Sequence, residues 1–356
     1  MNIIDDRDKI KKIDTLDMLG VEEGFYDQLT AAVKIASDTK IKPLKNKNFK
    51  GIAIAGMGGS GFTGDIIKSI ISGSINIPVE VFKGYGLPPY AGKEWLVFAV
   101  SYSGNTEETI ASLKGALDNG SDAVCVSAGG ELSKIAENHN LTHVKIPGGF
   151  QPRGAAGYLF FSTLLVMDKM GIISVSSQDK AEALELVGRL KKIYNRDVAT
   201  ADNPAKKLAV DLYGRLPVIY GVNGYLSTVV YRWKCQINEN AKCPCFVAEF
   251  PELNHNEIVG WQNLADVFQN FALVVFKDNS YTGRIRTRIS TTVELVRDCF
   301  DALIEVEIEG NSLLARALSA IYLGGISSVY LALLYQTDPT PIKRIEALKA
   351  ALAKLD

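Results

Sequence analysis

Short apolar runs, too brief to be helices, recur along this chain with helical patterns between them. From Gly51 onward they read Ile52–Ala55, Val79–Phe82, Trp95–Val100, Ala123–Val126 and Val144–Ile146. Runs that are apolar on both faces belong to strands covered on both sides, and strands separated by helices join in parallel. After Pro147-Gly148-Gly149 come helical patterns over Tyr158–Met170 and Lys180–Lys192. The strand pattern then resumes at Leu216–Gly221, Cys245–Ala248, Phe271–Phe276 and Leu303–Ile308. This spacing predicts an α/β protein with two doubly wound, flavodoxin-like parallel-sheet domains in tandem, a helical lead-in and C-terminal helices. The expected divisions are 1–48 for the lead-in and linker, with one helix over Glu22–Asp38, then 49–200 and 201–356 for the two domains. Both domains open alike: Ile52-Ala53-Ile54-Ala55-Gly56 enters a glycine-rich turn, and so does Pro217-Val218-Ile219-Tyr220-Gly221 before Val222-Asn223-Gly224. The echo hints at duplication.

Composition narrows the possible partners. The chain carries 39 Lys+Arg against 40 Asp+Glu, a net charge of -1, so no global basic field exists to attract nucleic acid. Its five cysteines, Cys125, Cys235, Cys243, Cys245 and Cys299, are an odd set in a chain too large to need staples, which predicts reduced thiols in a cytoplasm. Cys243-Pro-Cys245 has no second ligand pair at zinc spacing, so no metal site is expected. Acidic residues stand where a signal peptide would begin its apolar stretch. Ala317–Tyr335 is an uncharged run of membrane-spanning length. However, Ser319, Ser327, Ser328 and Gly324-Gly325 suit a helix buried in a large core, capped near Asn311-Ser312, and no membrane is expected.

Two segments carry anion chemistry. Gly56-Met57-Gly58-Gly59-Ser60-Gly61-Phe62-Thr63-Gly64 lies between a strand and a helix, where glycines let a backbone approach an anion at the helix N-terminus. Its Gly59–Gly64 stretch fits G-x-G-x-x-G. A nicotinamide site would nevertheless need an acidic residue ending the second strand, and Lys83 stands there. No Lys-Ser/Thr closes the run as a P-loop would. The second segment, Ser101-Tyr102-Ser103-Gly104-Asn105-Thr106-Glu107-Glu108, has a bland reading as a capping box with Asn105 as N-cap and Glu108 at N3. That reading leaves the hydroxyls of Ser101, Ser103 and Thr106 unexplained, and together they suit a phosphate monoester.

These two segments resemble the sugar isomerase (SIS) domain. Arg232–Lys242, Glu252–Trp261 and Asp338-Pro339-Thr340-Pro341 are in turn similar to the bifunctional phosphoglucose/phosphomannose isomerases. The resemblance runs from about residue 20 onward. It implies two SIS domains, a homodimer, no cofactor, and interconversion of glucose 6-phosphate and mannose 6-phosphate with fructose 6-phosphate through a cis-enediolate. That chemistry needs a ring-opening acid, a base for the C2 proton, a cation for the enediolate and an anchor for the phosphate.

The phosphate would rest on Gly59, Ser60, Ser101, Ser103 and Thr106. Glu239 is the candidate base: it lies one helical face from Trp233 and Gln236, between Asn238 and Asn240, so aromatic desolvation and amide hydrogen bonds can tune it. The resemblance places the family's base on the same residue. It also assigns ring opening to His255, contributed by the neighbouring subunit, and to Lys349, and enediolate stabilisation to Arg153. Histidine's titration range suits protonation of a ring oxygen, and a planar permanent cation suits an enediolate. His139 and His143 look structural. The family's specificity threonine is Thr340 or Thr337. The alternatives are an isomerase restricted to glucose 6-phosphate and a non-catalytic SIS-type sugar-phosphate sensor. Against the sensor, residues 1–48 lack a clustered positive face for DNA. Amino-sugar chemistry would need a glutaminase nucleophile, and no cysteine lies near Met1-Asn2.

Overall fold

The computed structural model describes residues 3–46, 48–352 and 354. Three helices come first: Arg7–Ile13 (α1), Met18–Glu23 (α2) and Phe25–Asp38 (α3). The single helix expected over Glu22–Asp38 is thus two. Asp14 accepts from the N–H groups of Met18 (2.8 Å) and Leu19 (2.7 Å), which starts α2 early, and Gly24 ends α2 and begins α3. The lead-in is woven into the interior, with Ile4, Ile10, Met18, Leu19, Phe25 and Leu29 all in the main core.

The first sheet follows as Gly51–Ala55 (β1), helix Gly58–Ile71 (α4), Val79–Phe82 (β2), Trp95–Val100 (β3), helix Glu107–Asp118 (α5), Asp122–Ser127 (β4), helix Gly130–Asn138 (α6) and Thr142–Lys145 (β5). All pairings are parallel, in the order β2-β1-β3-β4-β5. Every residue of β1, β3 and β4 is buried, as continuous apolar runs covered on both faces require. The predicted parallel α/β architecture is present.

Helices Ser162–Lys169 (α7), Ser177–Tyr194 (α8) and Pro204–Leu212 (α9) lead to the second sheet. It comprises Leu216–Val222 (β6), helix Tyr225–Gln236 (α10), Phe246–Phe250 (β7), the short helix Ala265–Phe268 (α11), Phe271–Lys277 (β8), helix Gly283–Val296 (α12) and Ala302–Glu307 (β9). Its order is β7-β6-β8-β9, again all parallel. The chain closes with Leu313–Leu334 (α13) and Lys343–Leu352 (α14).

Helix α13 is the uncharged run weighed above as a membrane span. It is long and apolar enough to cross a bilayer, yet 94% of its most apolar window is buried inside the protein, against α2, α8, α9 and α10. Ser312 caps it by accepting from Ala315 N–H. Gly324 is obligatory there, because a Cβ would lie 2.0 Å from the indole nitrogen of Trp233, which donates to the Ala320 carbonyl. Small residues on α13 thus seat α10, and α10 leads directly to Glu239.

Candidate active site

Two glycine- and serine-rich loops meet at the point where the first sheet changes direction. In the order β2-β1-β3, the connection after β1 turns to one side and that after β3 to the other, which leaves a crevice at the strand ends. Helix α4 starts there at Gly58 and α5 at Glu107, and no side chain caps either N-terminus. Their free N–H groups and dipoles therefore favour an anion. Ser60 is buried and accepts from Tyr102 N–H (3.0 Å), which leaves its own hydroxyl proton free. Ser101, fully buried, lies 2.7 Å from Thr106 Oγ1 and accepts from Gly104 N–H (3.1 Å). Ser103 is exposed at the rim and accepts from Asn105 N–H (3.2 Å).

The capping-box reading of this segment does not hold. Thr106 is the N-cap of α5, and Asn105 turns away to accept from Glu131 N–H of α6 at 2.9 Å. Gly130 makes room for it, since a Cβ there would meet Asn105 Oδ1 at 2.6 Å. The asparagine thus ties two loops together rather than capping its own helix.

The anion crevice abuts Arg153. A Cβ on Gly59 would come within 3.0 Å of the Pro152 carbonyl and 3.4 Å of Arg153 Cα, so only glycine lets the start of α4 pack on this turn. Arg153 is only 3% exposed. Its Nε donates to Asn240 Oδ1 (2.7 Å), and Nη2 donates to the carbonyls of Pro339 and Thr340 (2.8 Å each). The remaining corner, Nη1, approaches Glu239 Oε2 at 3.4 Å. Three fixed bonds therefore aim one edge of the guanidinium at one carboxylate. Burial pulls the arginine's pKa down, against the pull of Glu239 and Glu22.

Glu239 sits in a π-helical stretch, Ile237–Ala241, that continues α10. The wider turn shifts the register on which the i, i+3 argument for aromatic desolvation rested. Trp233 instead faces the core, edge-on to Phe276, and Asn240 is the neighbour that works, holding Arg153 and donating to Ser328 Oγ at 2.8 Å. Glu239 opens on a cavity of about 590 Å³ whose lining includes Asn238, Lys242, Thr337, Asp338, Lys343 and Arg344.

Of the two threonines, Thr337 lines this cavity. Thr340 is buried beside Arg153, and its Oγ1 has no partner among the described residues. Lys349 lies further along α14, exposed. His255 is exposed as well, in the turn Glu252–His255 after β7, whereas Glu239 precedes β7. The strand thus separates them, with its five residues spanning roughly 16 Å. A second cavity, of about 580 Å³, lies between the sheets and is lined by Asp65, Lys83, Asn223, Tyr231 and Glu249 among others, with neither Glu239 nor Arg153 in its wall.

Residues 47–167 match the SIS domain, and residues 201–352 match the bacterial phospho-glucose isomerase C-terminal SIS domain. A bifunctional phosphoglucose/phosphomannose isomerase of Caldicellulosiruptor bescii is 36% identical over 329 residues, 92% of this chain and 97% of that protein. The chain belongs to the bifunctional phosphoglucose/phosphomannose isomerase family. Another member, from Aquifex aeolicus, is 35% identical over 94% of this chain and 98% of its own length. The crystal structure of a glucose-6-phosphate isomerase like protein from Thermus thermophilus shares the fold, with a TM-score of 0.62 and 20% identity over 96% of this chain and 99% of that one.

Sequence reasoning passed over two residues at this candidate site. Lys242, in a left-handed conformation (φ 56°), donates to the carbonyls of Glu239 and Pro339, and burial beside Arg153 lowers its pKa. A positive φ at a lysine leaves no sequence signal. Glu22 is the other. It is buried within the electrostatic reach of Arg153 and Arg232, although it lies in a segment whose amphipathic pattern marked it only as helix.

Proposed function

We propose that the protein interconverts glucose 6-phosphate and mannose 6-phosphate with fructose 6-phosphate by proton transfer, without a metal, in the cytoplasm. The observation that carries this reading is the approach of Arg153 Nη1 to Glu239 beside the uncapped start of α4. Phosphate is held by Gly59, Ser60, Ser101, Ser103 and Thr106, in the first of two domains divided near residues 48 and 200. Glu239 moves the proton between C2 and C1. The free corner of Arg153 stabilises the enediolate, which costs little reorganisation because its other N–H groups are already fixed. Thr340 lets the C2–C3 bond turn. Its unpartnered hydroxyl beside Arg153 favours it over Thr337.

In this reading His255 and Lys349 open the sugar ring. Within one chain His255 stands across β7 from Glu239, so it serves the site of a second copy in a homodimer. Helix α14, which has no buried residue and exposes Ile345, Leu348 and Leu352, offers that copy an apolar face. Isomerisation of both aldose phosphates with excess chelator present tests the activity. Turnover of glucose 6-phosphate alone would restrict the enzyme to one epimer, and binding without turnover would leave a sensor. Mixing Glu239→Gln with His255→Ala subunits tests the shared site: two inactive preparations should regain activity together.

A further inference from the structure

Beneath the Arg153 turn lies a buried carboxyl for which the proposed mechanism has no use. Glu22, from α2, is 5% exposed and forms no ion pair among the described residues. Its Oε1 accepts from Gln236 Nε2 at 3.3 Å, and Oε2 rests where a Cβ on Gly325 would stand 2.4 Å away. The groups facing it are Gln236 and Arg232 of α10, Arg153 of the turn after the first sheet and the Tyr322 phenol of α13.

Arg232 is the pivot of this cluster. It is 4% exposed, stacks at 4.6 Å on the Phe62 ring of α4, and donates from Nη2 to the Arg153 carbonyl at 2.8 Å. Its Nε and Gln236 Oε1 have no hydrogen-bond partner among the described residues. Two buried guanidinium cations therefore face two carboxyls. Glu239 stands at the reacting side, in contact with Arg153, and Glu22 stands behind, facing both arginines.

We infer that Glu22 is a positioning residue for the isomerisation: its carboxylate offsets Arg232, which holds the Arg153 carbonyl, and orients Gln236, so that Arg153 stays aimed at Glu239. This rests on the isomerase reading above. Loss of the Glu22 charge leaves Arg232 uncompensated against the Arg153 turn and slackens the aim of the guanidinium at Glu239, without touching the hydroxyls proposed to hold the phosphate. Burial raises the Glu22 pKa from 4.5 to about 7, against the pull of both arginines, so the group changes charge near neutral pH. A carboxyl whose folded pKa is raised contributes its full stability below pH 4.5 and loses it progressively as pH rises to about 7.

Glu22→Gln separates function from stability, because it keeps the shape and removes the charge. At pH 8 its kcat should fall about three- to tenfold with KM unchanged or lower. The inflection of kcat near pH 7 should vanish. Its melting temperature should rise by at least about 2 °C at pH 8 and stay unchanged at pH 4.5. Wild-type kcat with an inflection that persists in the variant overturns the inference, as does a variant that melts lower or fails to fold, which would mark a merely structural carboxyl. If the wild-type protein itself turns over neither aldose phosphate, the isomerase reading fails and takes this inference with it.

Discussion

The two sheets share a topology and a glycine turn after the central strand, yet their crevices hold opposite chemistry. In the first, α4 opens on Gly58-Gly59-Ser60, and the β3 loop supplies the hydroxyls of Ser101, Ser103 and Thr106. In the second, α10 opens on Tyr225, whose hydroxyl donates to Asp278 of the β8 loop. Asp278 is 3% exposed, pairs with Arg316 at 3.4 Å and accepts from Ser280 N–H at 2.8 Å. Burial and the Asp278 charge push the Tyr225 and Tyr281 phenols upward. A crevice filled by a carboxylate and two phenols excludes a phosphate by bulk and by charge. One architecture thus presents uncapped N–H groups and hydroxyls in one half and a buried carboxylate in the other, where Asp278 holds α13 through Arg316.

The contrast breaks if the second crevice proves to matter for turnover or the first for stability. The largest expected effect lies just outside both. Glu239→Gln should cut kcat by about 10² to 10⁴ with KM little changed and melting temperature unaffected, as initial-rate kinetics and calorimetry would show. Next comes Asp278→Ala, which takes a buried carboxylate from half-buried Arg316 and from the Tyr225 hydroxyl. Denaturant titration should show a loss of about 3–5 kcal/mol, while kcat/KM of the folded fraction stays at the wild-type level. Ser101→Ala should raise KM for the sugar phosphate by about tenfold or more, in line with 1.5–3 kcal/mol for a hydrogen bond to a charged group. Tyr225→Phe should cost only about 1 kcal/mol of stability and leave KM alone. A KM increase in Tyr225→Phe would mean that the second crevice also meets the substrate.

What the sequence disclosed follows from what its local chemistry encodes. The nine described strands were legible to different degrees. Strands β1, β3 and β4, buried on both faces, write themselves as unbroken apolar runs. The half-exposed β2, β5, β7 and β9 betray themselves by short β-branched and aromatic stretches between helices. The hydroxyl loops were legible because glycines and serines at a strand end have few other reasons to cluster. The hidden parts depend on long-range contact. Nothing around Arg153 announces that its guanidinium reaches the carbonyls of Pro339 and Thr340, because a backbone carbonyl is the same atom in every residue. Asn105 looked like a cap because a capping box is a local pattern, and the loop that took its side chain lies 26 residues on. The shift to a π-helix at Ile237–Ala241 has no reliable residue signature, so the neighbours of Glu239 were drawn on the wrong helical face.

The bonds from Arg153 to residues 339 and 340 span 186 and 187 positions of chain. During synthesis, therefore, the first sheet and its phosphate crevice can close long before the arginine beside them finds the carbonyls that aim it. On the proposed reading, the anchor for the phosphate is made before the cation that serves the enediolate is held in place. The aim of the guanidinium is set only once Pro339 and Thr340 have emerged.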